Sequence, residues 1–227
     1  MQHSSEQKGE TVEDTVKTLS AMGISTFVIR HSEEKIHHRL VNILPPNAHM
    51  INAGDGKNAH PSQSILDMTT IYEKKPDLSK LKIVILGDIL HSRVAGSFMA
   101  LSKTLGVGEL VLIAPDQLQV AQPIYGTKTN HIQSGLQDAD VVMCLRVQKE
   151  RFSQDEQLDL EKYRQKYMLT TEQLKLAKPD ALVLHPGPMN RGIEIDDSVA
   201  DGSQSLIYEQ VKNGVYARMA ILEAVLD

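Results

Sequence analysis

Apolar residues recur at helical spacing through Val12, Val16, Leu19 and Met22, and Gly23 follows where a helix cap belongs, so the first predicted element is a helix over residues 10–22. An apolar run over 26–29 predicts a strand. Ser32 ahead of Glu33 and Glu34 marks a helix start, Pro45-Pro46 marks its end, and a short strand is expected over 50–52. Pro61 suits the first position of the next helix, with Ile65, Met68 and Tyr72 on one face, which puts His60 and Gln63 at an amino-terminal end that favours anions. Residues 76–80 read as a linker. From Lys82 the pattern restarts: strand 82–87, helix 92–105, strand 109–114, an unpatterned stretch to 137, strand 140–145, a charged helical stretch, strand 181–185, and a helix over 205–226. That last helix carries Val211, Val215, Met219, Leu222 and Val225 at recurring positions, with Gly214 inside it as a packing contact or a kink. Alternating strands and helices predict an α/β protein of two lobes, 1–78 and 79–227, each with a mainly parallel sheet flanked by helices. The 205–226 helix is expected to pack back toward the first lobe.

Five of these apolar runs lead into polar loops. Arg30-His31, the stretch to His60 and Gln63, Arg93, Arg146-Val147-Gln148, and His185-Pro186-Gly187-Pro188-Met189-Asn190-Arg191 all follow strands. Ligands of open α/β sheets bind beyond the carboxyl ends of the strands, so these groups are expected to converge. Guanidinium groups offer a donor fork that fits carboxylate and phosphate. A chain of net charge -5 that gathers arginines at strand ends is therefore expected to bind a small polyanion, with phosphate plus dicarboxylate as the first guess. Taken singly, His60 suits a helix cap and each arginine suits a surface ion pair. The shared edge carries the reading, because unrelated structural uses would scatter such groups to both ends of the sheet. The prolines of 185–188 stiffen the backbone and leave carbonyl oxygens able to accept from a substrate amino group.

Composition narrows the class further. The 227 residues are 41% hydrophobic, enough for real cores, and the lysines are scattered rather than gathered into a field for nucleic acid or anionic lipid. Cys144, the single cysteine, sits in an apolar run and reads as a buried reduced thiol of a cytoplasmic protein. No apolar run reaches the ~20 residues of a membrane span, and residues 1–5 are polar. Gly87-Asp88 lacks the remaining glycines of a dinucleotide fingerprint, and Gly54-Asp55-Gly56-Lys57-Asn58 lacks the Ser or Thr of a nucleotide-phosphate loop. His37-His38 lies on a charged stretch without zinc partners and reads as surface histidines.

Lys8-Gly9-Glu10, the run from Asn52 to Gln63, Gly87-Asp88 with Ser92-Arg93, Arg146-Val147-Gln148-Lys149-Glu150-Arg151 and His185-Pro186-Gly187-Pro188-Met189-Asn190-Arg191-Gly192 together resemble the catalytic chains of the aspartate carbamoyltransferase family. Ornithine carbamoyltransferases carry His-Cys-Leu-Pro at 185–188 and lack Arg-Val-Gln. The resemblance implies transfer of the carbamoyl group of carbamoyl phosphate to the amino group of L-aspartate, in pyrimidine synthesis, with no metal or organic cofactor. It implies that His60 and Arg30 polarise the carbonyl, that Gln63 and the carbonyl of Pro186 hold the carbamoyl amino group beside Gly187, and that Arg93, Arg146 and Gln148 clamp aspartate. It also implies a homotrimer in which Ser4 and Lys8 reach the neighbouring subunit's phosphate, with regulatory or dihydroorotase subunits as further partners and no nucleic acid or membrane. Residues 1–227 hold no match to the family's Ser-Thr-Arg-Thr-Arg phosphate loop. The first lobe is therefore expected to be incomplete, with a weakened phosphate site and open sheet edges. A non-catalytic carbamoyltransferase-like assembly partner, or an inactive fragment, stands as the alternative reading.

Overall fold

The computed structural model describes residues 9–148 and 158–226. Its first part runs α1 (Val12–Ala21), β1 (Thr26–His31), α2 (Ile36–Leu40), β2 (His49–Asp55) and α3 (Pro61–Lys74). Its second runs β3 (Lys82–Gly87), α4 (Arg93–Leu105), β4 (Glu109–Ile113), β5 (Thr127–Thr129), α5 (Ile132–Leu136), β6 (Val141–Leu145), α6 (Leu160–Tyr167), α7 (Thr171–Leu174), β7 (Leu182–Leu184), α8 (Asp197–Ala200) and α9 (Ile207–Leu226). Among the described residues β1 and β2 form a two-stranded parallel sheet, and the other five strands form an all-parallel sheet in the order β5-β4-β3-β6-β7.

The strand order follows from the residues. β3 and β6 are apolar at consecutive positions, and Ile83 to Leu86 and Val141 to Cys144 are all fully buried, as expected for central parallel strands covered on both faces. Each such side chain contributes about 1.5–3 kcal/mol of transfer free energy. The chain winds from β3 out to β4 and β5, then returns to β6 on the other side of β3. The winding direction thus reverses between β3 and β6, and their carboxyl ends flank the crevice where an open sheet takes ligands. α4 starts at that crevice because Ser92 caps it, its side-chain oxygen accepting from the Ala95 amide, and Gly106 ends it in a left-handed conformation.

Several local expectations are corrected. The helix expected from Ser32 begins only at Ile36: His31 Nδ1 accepts from the Glu33 amide, Asp55 Oδ2 accepts from the Lys35 amide at 2.6 Å, and Lys35 itself is left-handed. These side-chain bonds hold residues 32–35 in turns, so Glu33 pairs with Arg39 instead of starting a helix. On α3, Met68 is buried as expected, but Ile65 and Tyr72 are exposed and the buried face is completed by Leu66 and Ile71 instead. The stretch before 137 holds β5 and α5.

The largest correction concerns α9. Its recurring apolar residues Val211, Val215, Met219 and Leu222 are exposed, and the buried side is Ile207, Gln210, Asn213, Gly214 and Ala217. That narrow, polar and small-residue stripe lies on α3. Asn213 donates to Thr70 Oγ1 and Glu73 Oε2, and Gln210 donates to Asp67. Gly214 is a packing contact: a Cβ there would lie 3.4 Å from Leu66 Cδ2 and 2.6 Å from a guanidinium nitrogen of Arg218.

Candidate functional site

A cleft of about 320 Å³ opens at the carboxyl ends of β3 and β6 and is closed from the other side by α3 and the end of β1. Arg30, His60, Gln63, Arg93, Arg146, Gln148, Pro186 and Gly187 all line it. Of the ten residues singled out by sequence, Ser4 and Lys8 lie outside the described residues. Arg191, also a strand-end arginine, is not in this wall: it forms ion pairs with Asp197 at 2.8 Å and Asp201 at 2.7 Å and fastens its own loop.

Each side chain is positioned by its element. His60 is the N-cap of α3, with Pro61 at the first helical position, and its backbone amide donates to Ser97 of α4 at 2.8 Å. The Ser62 hydroxyl stands 3.4 Å from His60 Nδ1, an arrangement that leaves Nε2 to carry the proton when the hydroxyl donates. Burial, then the charges of Arg93, Arg30 and Arg218, lower the His60 pKa to about 4. The imidazole is therefore neutral near pH 7, a hydrogen-bond donor without a net charge.

Arg93 opens α4 and reaches across to the loop after β2, where one guanidinium nitrogen donates to the Gly56 carbonyl at 3.4 Å. A Cβ at Gly54 would lie 2.9 Å from Arg93 Cζ, so the guanidinium lies flat against backbone that has no side chain. Arg146 and Gln148 leave β6 together. Gln148 donates from its backbone to Asp88 Oδ2 and from its side chain to the His91 carbonyl. Asp88 is fully buried and also accepts from the His91 backbone and ring, so one carboxylate ties the β3 loop to the β6 loop.

The 185–188 loop is stiffened by His185. Its Nδ1 accepts from the Gly187 amide at 2.9 Å, which leaves Nε2 to donate to Glu194 at 3.1 Å. Glu194 also accepts from the Asn190 amide. The His185 ring is thus occupied with its own loop, and His185, Pro186 and Gly187 all line the cleft; the Gly187–Pro188 peptide is cis.

Sequence reasoning missed Arg218, Asp67 and Gln210, and named Asp88 only as part of a motif, without its role. Arg218 sits on α9, far along the chain from any strand end, and enters the cleft wall only because α9 lies on α3. The only signal for it in the sequence was a cation on a helix. Asp67 is fully buried, accepts from Gln63 at 2.8 Å and from Gln210 at 2.7 Å through the same oxygen, and is pushed up to about 7 by burial against the lowering effect of those amides. Cys144 is buried, and burial raises its thiol pKa well out of the reactive range. The described residues contain no group of three metal-ligating side chains and no helix long and apolar enough to cross a membrane.

A cleft of this kind, with several arginines around a neutral histidine, suits a ligand with two or more anionic groups and a carbonyl between them. Known proteins agree with that chemistry. The carbamoyl-P binding domain of aspartate/ornithine carbamoyltransferase matches residues 1–73, and the Asp/Orn binding domain matches 79–225. The aspartate carbamoyltransferase catalytic subunit of Legionella pneumophila (strain Lens) is 59% identical over 226 residues, covering 100% of this chain and 76% of the relative. A crystal structure of aspartate transcarbamoylase from Trypanosoma cruzi with carbamoyl aspartate and phosphate superposes with a TM-score of 0.87 at 27% identity, over 100% of this chain and 73% of that one. Ornithine carbamoyltransferase from Pyrococcus furiosus superposes at 0.82 with 25% identity, over 96% and 71%. Sequence, fold and cleft thus agree, and the chain belongs to the aspartate/ornithine carbamoyltransferase family.

Proposed function

We propose that this protein is an aspartate carbamoyltransferase: it transfers the carbamoyl group of carbamoyl phosphate to the amino group of L-aspartate, giving N-carbamoyl-L-aspartate and phosphate for pyrimidine synthesis. The supporting observation is the gathering of Arg30, His60, Gln63, Arg93, Arg146, Gln148, Pro186 and Gly187 in one cleft, in a chain 59% identical to an aspartate carbamoyltransferase catalytic subunit. The aspartate branch is favoured over the ornithine branch by Arg146-Val147-Gln148 and by Pro186-Gly187-Pro188. Two arginines with an amide match the two carboxylates of aspartate, whereas an ornithine side chain would bring a cation to them.

The neutral amine nitrogen of aspartate attacks the carbonyl carbon and the carbonyl oxygen becomes an oxyanion; the carbonyl re-forms as the carbon–oxygen bond to phosphate breaks, and the departing phosphate takes the proton that the nitrogen sheds. In this reading His60 Nε2–H and Arg30 donate to the developing oxyanion, where a donor acts more on the transition state than on the bound substrate. Gln63 and the Pro186 carbonyl accept from the carbamoyl amino group, and Arg93, Arg146 and Gln148 hold aspartate in line. The fuller proposal is a cytoplasmic homotrimer that shares sites through Ser4 and Lys8, with 1–78 as the carbamoyl-phosphate-binding domain and 79–227 as the aspartate-binding domain, which adds Pro186 and Gly187 to the carbamoyl contacts, and room for regulatory or dihydroorotase subunits.

Steady-state assays of carbamoyl-aspartate formation test the assignment. His60→Ala is expected to lower kcat by a factor of about 100 or more while the KM for carbamoyl phosphate rises only a few-fold. Equal losses in kcat and binding would make His60 a ground-state contact and refute its role here.

A further inference from the structure

A glutamine amide has two ends of nearly the same shape and opposite hydrogen-bonding character, so a site that relies on one end needs something to orient it. Gln63 is oriented by a chain of three buried bonds that starts from a group of fixed polarity. The His185 backbone N–H, which can only donate, gives its hydrogen to Gln210 Oε1 at 2.8 Å. The other end of that amide, Nε2, then donates to Asp67 Oδ1 at 2.7 Å, and Gln63 Nε2 donates to the same oxygen at 2.8 Å. All four residues are buried: Asp67 at 0%, Gln210 and His185 at 2%, Gln63 at 8% exposure. With its Nε2 turned to Asp67, Gln63 is left with Oε1, an acceptor, for the cleft that it lines.

The same chain ends on the amide of His185, one residue before Pro186, which also lines the cleft. One carboxylate therefore links Gln63 on α3, through Gln210 on α9, to the end of β7 that leads into Pro186. Taking the cleft as the carbamoyl phosphate site argued above, we propose that Asp67 and Gln210 are positioning residues that present Gln63 Oε1 and the Pro186 carbonyl together, and so select an acyl phosphate carrying an N–H donor over one carrying a methyl group. An acyl group without N–H would cover the acceptors without pairing them, and that penalty makes the discrimination, chiefly at the buried Gln63.

The test compares dissociation constants of carbamoyl phosphate and acetyl phosphate, in mildly alkaline buffer, for wild type, Asp67→Leu, Asp67→Asn and Gln63→Ala. Asp67→Leu removes the acceptor and frees the Gln63 amide to turn over, so the preference for carbamoyl phosphate is expected to fall about tenfold. Asp67→Asn keeps an oxygen at the same place, and the preference is expected to survive within a few-fold. Adding Asp67→Leu to Gln63→Ala is expected to cause no further loss of preference, whereas a merely structural role would leave the two effects independent. Should Asp67→Leu fail to show a cooperative melt, Gln210→Met decides, since it removes a donor to Asp67 and the acceptor for His185, and the same fall is expected. A folded Asp67→Leu, or Gln210→Met, that keeps the wild-type preference overturns the proposal. If Gln63→Ala also keeps it, the carbamoyl contact assigned to Gln63 fails as well; if Gln63→Ala alone loses it, only the positioning roles fail.

Discussion

His60 and Asp67 lie seven residues apart on α3, and the fold pushes them in opposite directions. His60 falls to about 4 from 6.5, so it contributes stability that is present above pH 6.5 and lost as pH falls through about 4. Asp67 rises to about 7 from 3.8, so its contribution is present below pH 3.8 and lost as pH rises through about 7. Denaturant melts of variants separate the two. Relative to wild type, Asp67→Leu should gain stability as pH rises between about 4 and 7, and His60→Ala should gain as pH falls between 6.5 and about 4. Variants whose stabilities run parallel to wild type across that range would show the pKa shifts to be absent. Arg146 belongs to the same scale. Its removal leaves aspartate carboxylate charge unpaired in the cleft, so Arg146→Ala should cost about 3 kcal/mol or more of transition-state stabilisation, seen as a fall in kcat/KM for aspartate. A change of only a few-fold would remove Arg146 from the aspartate clamp.

Among the elements, the crossing of the β2 loop under α4 is the most exacting. Gly54 has φ +116°, and the Arg93 guanidinium carbon lies only 2.9 Å from where its Cβ would be. Gly54→Ala should therefore strain the backbone by roughly 1–3 kcal/mol and displace the guanidinium. The expected result is a lower Tm together with a KM for aspartate that rises more than the KM for carbamoyl phosphate; unchanged KM values would show that Arg93 adjusts without consequence. α9 teaches a different lesson. A helix whose apolar residues recur regularly is expected to bury them, yet α9 buries Gln210, Asn213, Gly214 and Ala217 against α3. Polar side chains there find specific partners, and the small residues allow close approach, so this contact is specified by hydrogen bonds and shape more than by apolar area.

For the molecule as a whole, the consequence is an exposed apolar face. Tyr208, Val211, Val215, Tyr216, Met219 and Leu222 all lie open on α9. Such contiguous apolar surface promotes association. The double variant Val215→Lys/Met219→Lys should raise the concentration at which the protein stays monodisperse in light scattering, with its stability changed by less than about 1 kcal/mol, since neither side chain is buried. A large loss of stability would mean that this face is packed in solution.

Much of this was legible in the chain. Four of the five strands of the larger sheet, β5 being the exception, the restart at Lys82, the α4 start at Ser92-Arg93 and the helix at Pro61 follow from apolar runs, caps and prolines, which are local signals. Eight candidate cleft residues were recognisable because each stands at or just beyond the end of an apolar run, or in a motif, and strand ends of a parallel sheet point one way; β1 extends past its apolar run to His31, so Arg30 lies in its last residues. The turn at residues 32–35 was not legible, because Asp55, twenty residues away, supplies the acceptor that replaces a helical bond. Nor were the roles of Arg218, Asp67 and Gln210: a polar residue in a helix reads as solvated until another helix covers it. The sequence by itself determined the α/β alternation, the order of the strand-end groups and the family. Only the tertiary structure decided which face of α9 is buried and that one buried carboxylate joins Gln63 to Gln210 and the His185 amide, because those outcomes depend on partners 143 residues apart in the chain; it also decided that Arg191 fastens its own loop, because that depends on the turn that brings Asp197 and Asp201 back to it.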